Sequence, residues 1–379
     1  MIIKLDKTGS INGFQDILTQ VSSDTRTKGI LIMACDNNGY THESIDEILH
    51  SIPQPLFGGV FPAIIHDLQM LRQGVIVAGF TKEIDVHIVP DLSNKTIDFD
   101  EVVSEIFPQR VKAKTMFVFV DGYSTGINSL IEAFFNVLGL GLNYIGGGAG
   151  SINPDALEMQ KTPCLFTNAG LIKDSAILAL TDSQSGVGVR HGWEKISGPY
   201  KITETEGNVV KSIDWKPAFE VYSNIVKEHS GKTITRENFF DMAKCYPFGM
   251  PKLSKSESIV RDPFSVNDEN SLILATEIPR ESFIDVLTGD PESIVQAAHK
   301  AYHCADDMYK GISAEKTILL IDCISRALFL GDNFKDEIKA VSEADTPLIG
   351  ALSLGEIANN GQEYLEFFNK TCVVGMLSD

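Results

Sequence analysis

The sequence predicts an α/β fold, with mixed β-sheets and helices arranged as repeated strand–helix–strand units in two domains. Two observations predict it. One unit design is written three times along the chain, the strongest sign of internal similarity. Each copy opens on a continuous apolar run of five to seven residues rich in Val, Ile and Phe, the pattern of a strand buried on both faces. The length of 379 residues also exceeds what one hydrophobic core usually serves.

In the first copy, ILIMACD (30–36) is followed by the polar turn Asn37, Asn38, Gly39, a helical pattern through Ile45, Ile48 and Leu49, and PLFGGV (55–60). In the second, MFVFVDG (116–122) leads into Tyr123, Ser124, Thr125 and Gly126, an apolar helix over 129–139, and YIGGGAG (144–150). In the third, TILLIDC (317–323) leads into a turn at Ile324, Ser325 and Arg326, a helix near 334–342, and PLIGALSLGE (347–356). Strand–helix–strand order predicts parallel strand pairs joined by right-handed crossovers. After each glycine turn more strand-like sequence follows (74–80, 163–180 and 365–377), which reads as antiparallel additions and a mixed sheet.

The material between the second and third copies is different. Residues 186–213 alternate polar and apolar around a Glu-Gly-Asn turn at 206–208, a hairpin signal. A helix starts near Pro217, because proline suits a first helical turn. Residues 246–257, rich in Pro, Gly and Ser, read as a loop, 271–275 and 283–287 as strands, and 291–310 as a helix. A boundary near 215 divides a domain at 25–215 from one at 216–379.

Hydrophobic residues make up 43% and charged residues 22%, which excludes wholesale disorder. Lys and Arg number 32 against 51 Asp and Glu, a net charge of −19 that repels phosphate backbones and anionic lipid. No nucleic-acid or membrane partner is therefore expected, and no apolar run reaches the roughly 18 residues of a spanning helix. Lys4 and Asp6 stand where a signal peptide would carry its apolar stretch, so a cytoplasmic location is expected. The six cysteines form no CxxC pair and read as reduced, mostly buried thiols.

Turns at the carboxyl ends of parallel strands are where α/β proteins bind ligands. That singles out Asp36–Gly39, Asp121–Gly126 and Asp322–Arg326, with Asp121, Ser124 and Thr125 as candidate ligand contacts. The same residue types also cap helix starts and close turns, the plainer alternative. Gly146, Gly147, Gly148 and Gly150 lie outside any GxGxxG or GK[ST] pattern, and the echo at Gly58, Gly59 and Gly350 points to close packing between elements. Arg261, Arg326 and Glu356 could together hold both ends of an amino acid, two guanidinium forks on the carboxylate and Glu356 on the ammonium. The alternative is an internal Arg–Glu ion pair. His191 and, after it, His303 are candidate haem-iron ligands. His299, His303 and Asp307 share one helix face, but Lys300 stands where HExxH needs its glutamate.

There is no GxSxG, HExxH, Walker or kinase motif, so a non-enzymatic protein is expected. An enzyme using the glycine turns and Cys323 is one alternative, and a scaffold that binds no small molecule is another.

GGGAGS (146–151), TPCLFTNAG (162–170), VGVRHGW (187–193), TETEGNVVKSIDWKPAFEVY (203–222), PLIGALSLGEI (347–357) and FFNKT (367–371), in this order, resemble the FIST family over roughly 25–375. The resemblance implies a ligand sensor with an N-terminal and a C-terminal part. It also implies a signalling partner such as a histidine kinase or a cyclic-dinucleotide enzyme, and a ligand that is either a small molecule such as an amino acid or, in a stand-alone subset, haem for nitric-oxide sensing. Carried onto this chain, it adds Asn208 and marks His191, Arg261, Arg326 and Glu356 as positions in family-like motifs.

Overall fold

Three buried strands, one per repeat, organise the chain. The computed structural model describes residues 1–153, 158–160, 162–251, 257–312, 315–359 and 364–379. Unit one runs β1 (Ile2–Asp6), α1 (Ile11–Ser23), β2 (Gly29–Cys35), α2 (His42–His50), β3 (Leu56–Phe61), the hairpin β4 (Ala63–His66) and β5 (Gln69–Leu71), then β6 (Val75–Phe80). Unit two runs β7 (Asp85–Val89), α3 (Phe99–Ile106), β8 (Thr115–Asp121), α4 (Ile127–Leu138), β9 (Asn143–Ala149), the short strands β10 (Ser151–Asn153) and β11 (Glu158–Gln160), the hairpin β12 (Leu165–Thr167) and β13 (Gly170–Ile172), then β14 (Ala176–Thr181).

Unit three opens with β15 (Ser185–Arg190) and is interrupted by an inserted lobe. The lobe contains β16 (Glu194–Glu206), β17 (Val209–Ile213), β18 (Lys216–Pro217), α5 (Ala218–Ser230), α6 (Phe239–Ala243), β19 (Phe248–Met250), β20 (Ile259–Arg261), β21 (Pro263–Val266), β22 (Leu272–Leu274) and β23 (Phe283–Thr288). Unit three then resumes with α7 (Pro291–Met308), β24 (Lys316–Cys323), α8 (Ile324–Leu330), α9 (Phe334–Ala340), β25 (Leu348–Ser353), the hairpin β26 (Glu356–Ala358) and β27 (Glu366–Phe368), and β28 (Cys372–Ser378).

The repeat read from the sequence is a repeat of topology. In each unit the second strand pairs parallel with the third and antiparallel with the last: β2 with β3 and β6, β8 with β9 and β14, β24 with β25 and β28. The first strand flanks the last in every case. The hairpins are exchanged in a cycle. That of unit one adds to β25 of unit three, that of unit two to β3 of unit one, and that of unit three to β9 of unit two. Each edge is thereby covered by a neighbouring unit, which removes an exposed row of unpaired backbone groups.

Side-chain alternation sorts each central strand between two cores. Phe117 and Phe119 of β8, and Leu319 and Ile321 of β24, face a shared central core with Phe57, Phe61 and Phe80. Met116, Val118 and Val120 face the helices of unit two instead, and Ile318 and Leu320 those of unit three. Burial on both faces explains why these strands read as continuous apolar runs.

The glycine echo has the packing origin expected of it. Gly58, Gly146 and Gly350 sit opposite Ile32, Val118 and Leu320 in the three parallel pairs. A Cβ on each would lie 1.9, 1.8 and 2.1 Å from the facing carbonyl oxygen.

Two expectations need correction. The turn assigned to 322–326 is mostly helix, because α8 begins directly after β24 with no side-chain cap to announce it. The loop assigned to 246–257 contains β19, which pairs with β20 and β23; residues 252–256 of that stretch lie outside the described residues. The position near 215 lies between β17 and α5 of the lobe, and the exchanged hairpins pair across it.

Candidate functional site

The carboxyl ends of the three central strands gather at one end of the molecule, beneath the lobe. A cavity of about 410 Å³ opens there. The turn after β8 supplies Gly122, Tyr123, Ser124 and Thr125, the start of α8 supplies Cys323, Ile324 and Ser325, and the lobe supplies Asn208, Asp262, Phe264 and Thr276. Ile127, Phe240, Leu328, Leu354 and Phe367 make the rest of the wall largely apolar. A second cavity of about 300 Å³ lies beside the turn after β2, with Asp36 and Asn37 on its wall. The two cavities share Ile152, Ile324 and Leu328.

The β8 turn is rigidly held. Asp121 accepts from the Tyr123 N–H at 3.1 Å and the Asp174 N–H at 2.7 Å. The Ser124 hydroxyl donates to Asp174 Oδ1 at 2.7 Å, the Ser93 hydroxyl donates to the same oxygen, and the Thr125 N–H donates to Ser93 Oγ. Asp121 thus closes the turn, while Ser124 and Thr125 line the cavity. Asn208 also lines it while its side-chain amide donates to the Leu274 carbonyl at 2.8 Å, tying β17 to β22.

Arg261, Arg326 and Glu356 do not converge on the cavity, which corrects the expectation of an amino-acid clamp. All three are buried and none is on its wall. Arg326 lies between Glu337 and Asp322, with Nε 3.0 Å from Glu337 Oε1 and 3.2 Å from Asp322 Oδ1. Its remaining N–H groups donate to the carbonyls of His191, Lys370 and Ile294. Burial alone would ease its proton off, but Glu337 and Asp322 hold the guanidinium above its ordinary pKa. Removing one partner of such a buried pair costs about 3–5 kcal/mol, so these groups brace the fold. Asp322, Glu337 and Cys372 are close enough to suggest a metal site, but the guanidinium already supplies the cation there.

Arg261 donates to the carbonyls of Glu277, Val260 and Phe367, and burial pulls its pKa down to about 10. Glu356 accepts from Ser353 Oγ at 2.8 Å and the Thr371 N–H at 3.2 Å, and burial pushes its carboxyl up to about 8.

The candidate haem ligands also lie off the cavity wall. His191 is buried, accepts the Trp193 N–H on Nδ1 at 2.9 Å, and has Nε2 3.7 Å from Glu257. His303 is on the exposed face of α7, its Nε2 3.0 Å from that of His299. On the wall itself, burial raises the Cys323 thiol well above its ordinary range, with the carboxylates of Glu356 and Asp262 adding to the effect. Burial raises the Tyr123 hydroxyl likewise.

Asp262 is the residue that sequence reading passed over. It is buried on the cavity wall, with Oδ2 3.4 Å from Lys370 Nζ and, among the described residues, no hydrogen-bond partner on Oδ1. Burial raises its carboxyl, and Lys370 and the Ser325 hydroxyl work against that. The only signal available was its place beside Arg261 in Arg-Asp-Pro.

With this geometry in place, the comparisons decide the family. Residues 30–216 match the FIST N domain and residues 218–359 match the FIST C domain. The chain belongs to the FIST family. Its α/β architecture, mixed sheets and two domains are those of a FIST N and C pair, and FIST domains are associated with signal-transduction sensing. No curated protein matches the chain. Among the described residues no helix is long and apolar enough to cross a membrane.

Proposed function

We propose that this FIST protein is a non-enzymatic cytoplasmic sensor. It binds a small molecule in the 410 Å³ cavity and regulates a separate signalling protein, such as a histidine kinase or a cyclic-dinucleotide enzyme. The observation that carries the reading is a largely apolar cavity with a few fixed polar groups, walled by the FIST N turn at 122–125, the start of α8 at 323–325 in the FIST C part, and the inserted lobe. A ligand that touches all three favours one arrangement of the lobe on the sheets, and a partner reads that arrangement as a population shift.

A site of this kind suits a molecule of amino-acid size better than haem. His191 and His303 stand away from the wall, and burial keeps the proton on Cys323 and Tyr123, the wall groups able to hold iron. The same protonated thiol, with no histidine on the wall, also weighs against the Cys323 enzyme alternative. A thermal-shift screen of amino acids and small amines on the full chain tests the proposal. A ligand at about 100 times its dissociation constant adds about 2.7 kcal/mol. Leu328→Trp, which fills the cavity, should abolish the response. A flat response across the screen, or a Soret band on haem titration that Leu328→Trp leaves intact, would overturn it.

A further inference from the structure

The wall of the cavity says more about the ligand than its size. The two arginines able to fork a carboxylate are committed elsewhere, Arg326 to Glu337 and Asp322 and Arg261 to three backbone carbonyls. The ionisable groups left on the wall are the carboxylates of Asp262, Glu206 and Glu277, the cation Lys95, and the protonated Tyr123 and Cys323. Asp262 is the buried carboxylate among them, and it pairs with Lys370. Around it stand Phe240, Phe264, Leu328 and Leu354, which suit an apolar body. The chain as a whole carries −19, which concentrates cations near such an opening.

We propose that the ligand is a small lipophilic amine, its ammonium on Asp262 and its apolar body among Phe240, Phe264, Leu328 and Leu354, and not a zwitterionic amino acid. The inference rests on the sensor reading above and narrows its ligand class. An ammonium reaching the Asp262 carboxylate from the cavity shares it with Lys370. A carboxylate on the same ligand would enter a wall where the exposed Lys95 is outnumbered by the carboxylates of Asp262, Glu206 and Glu277. Discrimination of this sort is strong when a buried group would otherwise be left without its partner.

The test is binding by the full chain, measured by calorimetry and thermal shift, with three probes of one shape: phenethylamine, phenylalanine and 3-phenylpropionate. Phenethylamine should bind at least tenfold more tightly than the other two. Asp262→Asn should weaken phenethylamine by at least tenfold and leave the order of the other two unchanged. Leu328→Trp leaves the Asp262–Lys370 pair in place and should remove phenethylamine binding, which keeps the test sound where Asp262→Asn folds poorly. Tighter binding of phenylalanine or 3-phenylpropionate, lost in Leu328→Trp, would overturn the amine inference and leave the sensor reading standing. Phenethylamine binding that survives both substitutions would overturn the assignment to this cavity. Binding of none of the three would overturn the inference, while the wider screen decides the sensor reading separately.

Discussion

Three acidic residues close to one another have different work because of what surrounds each. Asp322 is held against Arg326, Asp262 keeps one oxygen on Lys370 and one that, among the described residues, has no hydrogen-bond partner, and Glu356 faces a hydroxyl and an N–H with no cation in contact. Burial therefore pushes Glu356 up to about 8, and this has a consequence for stability. A carboxyl whose pKa is raised on folding contributes most below its unfolded value, near 4.5, and loses that contribution as pH rises through about 8. Glu356→Gln keeps the acceptor for the Thr371 N–H and cannot ionise. Chemical denaturation should show the substituted protein gaining on the parent between pH 5 and pH 8, by on the order of a few kcal/mol. A gap that stays constant over that interval would mean that Glu356 ionises in the fold as it does in water.

Elements meet closely where the glycine of each third strand lies against the carbonyl of its parallel neighbour. The three positions are equivalent by register and share one steric clash, and Gly58 adds a φ of 135°, so its cost should be the largest. Gly58→Ala, Gly146→Ala and Gly350→Ala should each lower stability by about 1–3 kcal/mol or more in urea titrations, the range of overpacked cores. A neutral effect at any one of them would break the equivalence of the units. The start of α8 shows the opposite case. Cys323 makes no side-chain cap, so nothing local marks the helix, and the strand-to-helix step is set by Asp322 and Arg326 locking into the same buried cluster.

At the scale of the molecule the cyclic exchange of hairpins matters most. β4 and β5, from the FIST N part, complete a sheet of the FIST C part, and β26 and β27 run the other way. β15 also leaves the FIST N match to pair with β28. A fragment ending at residue 216 therefore exposes the edge of β9 and leaves β15, β4 and β5 without their sheet. Expressed alone, it should aggregate or unfold without a cooperative transition in circular dichroism, and co-expression with 217–379 should restore a soluble complex. A monomeric, cooperatively folding fragment would show that the exchange is dispensable.

Much of the fold was legible in the residues. A strand buried on both faces must be apolar throughout, and an amphipathic helix must repeat near every fourth residue, so ILIMACD, MFVFVDG and TILLIDC with the helices after them declared three units of one kind. The glycines at 58, 146 and 350 marked close packing for the same local reason. The site was less legible. Ser124 and Thr125, read from a strand-end turn, and Asn208, taken from the family resemblance, line the cavity. Arg261, Arg326 and Glu356 showed only that a buried charge needs a partner, and the sequence does not name the partner. Some partners are near, as Asp322 and Glu337 are to Arg326, but Phe367 meets Arg261 and His191 meets Arg326 from more than a hundred residues away. Asp262 carried no periodicity and no motif, and became visible only when the lobe closed over the turns of β8 and β24. Local patterns, then, specified the units and their order. Which charges are quenched, and which one is left facing a cavity, was decided by long-range packing, because desolvation and pairing depend on neighbours that only the folded chain assembles.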